Sequence, residues 1–136
     1  MTSNSVLATP AASSADALAH FAWRLAFETD CSDVRDALRS GDPGFILVDA
    51  RSPELFAQGH LPGAVNIPHA TITAERMSAY PPDQLFVVYC AGPHCNGANK
   101  AARRLARLGR PVKEMIGGLT GWRDEGFELA TGAVSS

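Results

Sequence analysis

Two short runs constrain this chain more than any other feature: Phe45-Ile-Leu-Val-Asp49 and Leu85-Phe-Val-Val-Tyr89. Each is apolar at consecutive rather than alternate positions. A strand of that kind buries both faces, which a parallel sheet covered by helices on both sides allows. Turn residues bound the runs: Gly44 and Ser52-Pro53 around the first, Pro81-Pro82-Asp83 before the second. A third, weaker run spans Val112 to Ile116. Helical stretches lie between and after them, at Pro53–Gln58, about Thr73–Ala79, Ala98–Leu108 and Leu119–Glu125. Strands alternating with helices predict βαβ units and an open α/β sheet.

The Ala98–Leu108 stretch is the best-defined helix. Ala98, Ala101, Ala102, Leu105 and Leu108 fall on one stripe, with Lys100, Arg103, Arg104 and Arg107 off it. Those cations read as a solvated face or as a binding patch. Gly109 suits the position after the helix end, and Pro111 blocks continuation. Upstream, Leu18, Phe21, Ala22 and Leu25 recur at helical spacing, with Ser13 or Ser14 as cap. Ser32 reads as the cap of a short helix through Val34, Ala37 and Leu38, closed by Gly41. The expected organisation is a disordered arm at 1–13, an additional helix at 14–27, one domain at 28–130 and a tail at 131–136.

At 136 residues the chain suits one domain. Its net charge of −2 gives no basic excess for phosphates, so no nucleic-acid partner is expected. No apolar run approaches the roughly 20 residues of a membrane span, so no membrane partner is expected either. The first ten residues lack the basic and apolar regions of a secretory signal. Three cysteines make a poor disulfide framework. These features together predict a cytoplasmic location, where a free cysteine reflects packing, metal binding or reactivity.

The chemistry concentrates where the second run ends. Cys90 follows Tyr89 directly. The loop Ala91-Gly92-Pro93-His94-Cys95-Asn96-Gly97 then leads into the Ala98 helix. Ligands of open α/β sheets bind at the carboxyl ends of strands. The helix N-terminus turns unpaired amides and positive partial charge toward that point. A thiol placed there has its thiolate stabilised, and the loop amides can form an anion nest. On this ground alone Cys90 is either a nucleophile or a small buried core residue.

The wider pattern resembles the rhodanese family. The segment from Val48 to Pro68, containing Asp49-Ala-Arg51-Ser-Pro and Gly59-His60-Leu-Pro-Gly-Ala-Val-Asn-Ile-Pro68, is similar to its N-terminal signature. Val87-Val-Tyr-Cys90 resembles the strand leading to its catalytic cysteine. Ile116-Gly-Gly-Leu-Thr-Gly-Trp122 with Gly126-Phe127 resembles its C-terminal signature. The likeness covers roughly residues 28–130. It implies a three-layer α/β/α fold with a central parallel sheet. It also implies a sulfurtransferase in which Cys90 accepts sulfane sulfur from a small donor such as thiosulfate. The sulfur then passes to a thiol or protein acceptor, without metal or organic cofactor. Residues 91–97 would be the substrate-binding loop, with Asp49, Arg51 and His60 in support. Asp49 and Arg51 can pair to fix nearby loops. His60 reads as a structural hydrogen-bonding residue or as a general base. Trp122 reads as core.

The loop is longer than that of typical single-domain sulfurtransferases and matches a Cys-x-Gly-Pro-x-Cys-Asn-Gly subset of rhodanese-like proteins. Related phosphatases and arsenate reductases end their loop in an arginine that grips an oxyanion, and here Asn96 stands at that offset. An uncharged side chain there argues against phosphoryl chemistry. Cys90, His94 and Cys95 have no second ligand pair at zinc-like spacing, since His20, Cys31, His60 and His69 are scattered. Cys95 is either a resolving thiol for Cys90 or a residue that packs and shapes the loop. The alternative to an enzyme is a non-catalytic rhodanese-like module that binds a partner or senses redox state through Cys90 and Cys95.

Overall fold

A computed structural model describes residues 4–133. In chain order the elements are α1 (Ser14–Phe27), β1 (Glu28–Thr29), α2 (Cys31–Arg39), β2 (Ile46–Asp49), α3 (Pro53–Gln58), β3 (Val65–Asn66), α4 (Ala74–Met77), β4 (Phe86–Tyr89), α5 (Gly97–Arg107), β5 (Val112–Met115) and α6 (Gly118–Asp124). The five strands form one sheet in the order β1-β5-β4-β2-β3, with every pair parallel.

β4 is the central strand, and its four residues are buried. Alternation divides them between two cores. Phe86 and Val88 meet Met77 of α4 and Ala98, Ala101 and Leu105 of α5. Val87 and Tyr89 meet Val34 of α2, Phe56 of α3 and Trp122 of α6. The consecutive apolar run is thus what a two-sided sheet requires, and the molecule has three layers, α/β/α. Gly109, at φ 76°, ends α5 in the left-handed conformation that a side chain resists.

Local differences have simple causes. α2 is capped by Asp30, not Ser32, because the Asp30 carboxylate accepts the Asp33 amide at 2.9 Å. The Thr73–Ala79 stretch shortens to one turn, Ala74–Met77, capped by the Thr73 hydroxyl. Ser13 caps α1 by accepting the Asp16 amide at 3.1 Å. The stripe of α1, by contrast, does not face a core: Leu18, Phe21 and Leu25 are exposed, and α1 has no buried residue. Residues 4–13 form neither helix nor strand; Asn4 Oδ1 accepts the amides of Val6 and Leu7. Residues 1–3 of the expected arm and 134–136 of the tail lie outside the described residues. Among the described residues no helix is long and apolar enough to cross a membrane.

Candidate active site

Cys90 directly follows β4, at the carboxyl end of the central strand, and is buried. Its loop wraps back so that Cys90 and Cys95 are paired as a disulfide, with Cα atoms 6.4 Å apart. The pairing rests on a tight turn in which the Cys95 amide donates to the Gly92 carbonyl at 3.0 Å. α5 begins immediately beyond, and the Gly97 amide points at Cys95 Sγ, 3.4 Å away. Position 97 admits only glycine without rearrangement: a Cβ there would stand 2.6 Å from Cys90 Sγ. The first turn of α5 is therefore pressed against the sulfur atoms, where its amides and dipole favour negative charge. The amides of Gly92, His94 and Asn96 donate to no acceptor among the described residues. Such uncommitted donors beside a sulfur atom are the raw material of an anion site.

The backbone of the loop is held from the other side by α6. Leu119 N donates to Cys90 O at 3.0 Å, Thr120 N to Ala91 O at 2.9 Å, and the Thr120 hydroxyl to the same Ala91 carbonyl at 2.9 Å. Gly118, at φ 61°, permits this approach, since a Cβ would meet Cys90 O at 2.5 Å and Gly92 N at 2.8 Å. Gly118, Leu119 and Thr120 thus belong to the site. The C-terminal motif contained them, but nothing local in sequence ties them to residues near 90.

Asp49 and Arg51 form a buried pair, with Arg51 Nη2 2.7 Å from Asp49 Oδ2. Arg51 Nε donates to Asp49 Oδ1 at 3.0 Å, and Nη2 donates to the Gly59 carbonyl at 2.6 Å. The Tyr89 hydroxyl donates to Asp49 Oδ2 at 2.8 Å and accepts the Leu61 amide at 3.0 Å. Burial alone would lower the Arg51 pKa, but the hydrogen bond and charge of Asp49 more than reverse this. Burial, reinforced by the Asp49 charge, pushes the Tyr89 phenol far above its ordinary range. Tyr89 is therefore held as a neutral donor beside the carboxylate, one residue before Cys90. His60 is buried with its ring stacked on Phe56 at 3.6 Å and Nδ1 2.8 Å from the Phe56 carbonyl. It belongs to the α3 end of the core and does not line the cavity at Cys90.

That cavity has a volume of about 350 Å³. Cys90 and Cys95 line it together with Asn99, Glu114, Gly117 and, from the N-terminal helix, Arg24. Arg24 donates from Nη2 to Glu28 Oε1 at 3.1 Å and from Nε to the same oxygen at 3.3 Å. Glu28 and Glu114 are register partners on β1 and β5. Burial raises the Glu114 pKa, the Asn99 side chain partly offsets this, and Glu28 adds to it. Neither Arg24 nor Glu114 stood out in the sequence, because each reaches Cys90 only through the sheet order. A wider depression of about 540 Å³ opens on the outer side of the loop, lined by Ala91, Pro93, His94, Cys95, Asn96 and Asn99. The loop residues 91–97 are thus gathered around the two sulfur atoms, while Asp49, Arg51 and His60 support the scaffold behind them. Cys31 is separate: buried under α6, it directs Sγ toward the Ile116 and Gly118 carbonyls at 3.6 and 3.8 Å.

Comparison with known proteins agrees with this fold. A model of the rhodanese-like domain matches residues 30–125. The HTH-type transcriptional regulator Rv0324 of Mycobacterium tuberculosis is 38% identical over 99 residues, which are 72% of this chain and 43% of that protein. The chain therefore spans less than half the length of that relative. Thiosulfate sulfurtransferase 16, chloroplastic, of Arabidopsis thaliana is 32% identical over 98 residues, 62% of this chain and 78% of the relative. The crystal structure of the BH2092 protein from Bacillus halodurans has a TM-score of 0.84 at 37% identity, covering 88% of this chain and 87% of the other. With its three-layer fold and its cysteine at the end of the central parallel strand, the chain belongs to the rhodanese-like domain family.

Proposed function

We propose that this domain transfers sulfane sulfur through a persulfide on Cys90. The observation that carries the reading is the position of Cys90: at the end of β4, against the first turn of α5, inside a cavity large enough for a small donor. The Cys90 thiolate attacks the outer sulfur of a donor such as thiosulfate. A new S–S bond forms to Cys90, the sulfur–sulfur bond of the donor breaks, and sulfite leaves with the electron pair. The loop amides and the α5 terminus hold the resulting Cys90–S–S⁻ anion. An acceptor thiolate or cyanide then attacks the outer sulfur, and Cys90 leaves as thiolate. Asn96 in place of a loop arginine points away from phosphate monoesters and toward donors whose charge is met elsewhere.

The pairing of Cys90 with Cys95 favours a second reading, a redox-sensing or partner-binding module, and the regulator Rv0324 is a relative that carries a comparable segment. The disulfide removes the nucleophile, so the protein must be reduced before it can accept sulfur. The test is thiosulfate:cyanide sulfurtransferase activity after reduction and removal of the reductant, with intact mass measured before and after donor. A gain of one sulfur atom on Cys90, with turnover abolished by Cys90→Ser, is expected. Equal turnover in wild type and Cys90→Ser overturns the assignment. A protein that gains no sulfur and only cycles between thiols and disulfide supports the second reading.

A further inference from the structure

The cavity at Cys90 has one cation among the described residues lining it, and that cation comes from outside the family-matched segment. Arg24 sits on α1, whereas the match begins at residue 30. Its side chain is 52% exposed, so the guanidinium stands at the solvent side of the cavity. Glu28, one helical turn on, holds it by accepting from Nε and Nη2, which leaves Nη1 uncommitted. The loop supplies no positive side chain among its lining residues: Gly92, Pro93 and Cys95 are neutral. A dianionic donor entering this cavity thus meets the uncommitted Gly92 amide near the sulfur and one guanidinium on the solvent side. Glu114 lines the same cavity as the one acidic side chain among the described lining residues, so Arg24 is the group there that can favour an anion.

We infer that Arg24 is a specificity-determining residue of the Cys90 site, recruiting small anionic sulfur donors, and that α1 is the element that presents it. This rests on the sulfur-transfer reading for the identity of the donor, but the electrostatic part can be measured without it. A guanidinium with a free planar edge suits an oxyanion such as the sulfonate end of thiosulfate. Glu28 sets its strength, since every hydrogen bond Glu28 takes is one fewer for the donor.

The test compares two alkylating reagents of like reactivity and different charge, iodoacetate and iodoacetamide, on the reduced full chain. Fragmentation of the labelled peptide assigns the rate at Cys90, and Cys31 does not compete because its buried thiol is pushed up to about 11. The iodoacetate:iodoacetamide rate ratio at Cys90 is expected to fall about two- to fivefold in Arg24→Gln, the size of one charge acting across a solvated cavity. Arg24→Lys should restore most of the ratio, Glu28→Gln should raise it, and added salt should shrink all the differences. With thiosulfate, Arg24→Gln should raise KM by about the same factor and leave kcat within about twofold. An unchanged ratio in Arg24→Gln overturns the inference, as does an equal fall with both reagents, which would mark a structural disturbance. If the wild type transfers no sulfur and the ratio still falls, the sulfur-transfer reading fails and anion recruitment by Arg24 stands.

Discussion

The three cysteines occupy two environments of different chemistry. Cys90 and Cys95 face each other across a turn beside a helix terminus, whereas Cys31 is enclosed under α6. A persulfide on Cys90 therefore has an internal thiol within reach. Attack by Cys95 on the inner sulfur would form the Cys90–Cys95 disulfide and release hydrosulfide. Cys95→Ser is expected to keep most sulfur transfer and to hold its persulfide longer than wild type in the absence of acceptor. Intact mass against time measures this; equal decay would leave Cys95 as loop packing, and a dead variant would make it a catalytic partner. Cys31 gives a pH signature instead. Burial first, and then the charges of Asp30 and Glu125, raise its thiol from 9.0 to about 11. The unfolded chain loses this proton first as pH rises. The contribution of the neutral thiol is whole below about pH 9 and is lost by about pH 11. Urea midpoints measured across that window should fall more steeply for wild type than for Cys31→Ala.

At the scale of elements, what holds β4 to its neighbours is as much polar as apolar. Asp49 at the end of β2 and Tyr89 at the end of β4 are register partners, and their hydrogen bond joins the strand ends just before Cys90. Asp49→Ala strands the Arg51 guanidinium in a buried site and is expected to lower stability by about 3–5 kcal/mol. Tyr89→Phe leaves the Leu61 amide without its acceptor, a loss of about 1–3 kcal/mol. Urea unfolding of both variants checks the order; a larger loss for Tyr89→Phe would contradict it. The pairing of Asp49 with Arg51 was legible because the two stand two residues apart, but burial and the Tyr89 partner, 40 residues on, were not. β2, β4 and β5 announced themselves through apolar runs. β1 and β3, with two residues each and side chains such as Glu28 and Asn66, carry no periodicity and exist because a neighbour offers them a register. The spacing of Leu18, Phe21 and Leu25 does mark a helix. Spacing alone does not say whether a core lies opposite, and here none does.

Across the whole molecule stability is unevenly spread. β4 is buried between two apolar layers and α5 packs its apolar face onto one of them, while α1 is joined to the sheet through β1 and a bond from Lys113 Nζ to the Leu25 carbonyl at 3.1 Å. α1 should therefore open locally without disturbing the rest. Amide hydrogen exchange is expected to show little protection in Ala19–Leu25 and protection near the global limit in Phe86–Tyr89 and Ala101–Leu105. Uniform protection would mean that α1 is part of the cooperative unit. Such mobility is compatible with Arg24 at a cavity entrance, because a donor must pass it in both directions.

The partners of β1 also bear on how the chain is made. Glu28 and Thr29 pair with Glu114 and Met115, so the strand that follows α1 waits for the last strand in the chain. A parallel edge closed by such distant residues forms late. During synthesis on the ribosome, α1 and its bare Trp23, Leu25 and Phe27 side chains therefore remain untethered until β5 emerges. In that interval the nascent chain displays an apolar segment of the kind chaperones bind, and because Trp23, Leu25 and Phe27 stay exposed once β1 has docked, the folded domain still carries that surface.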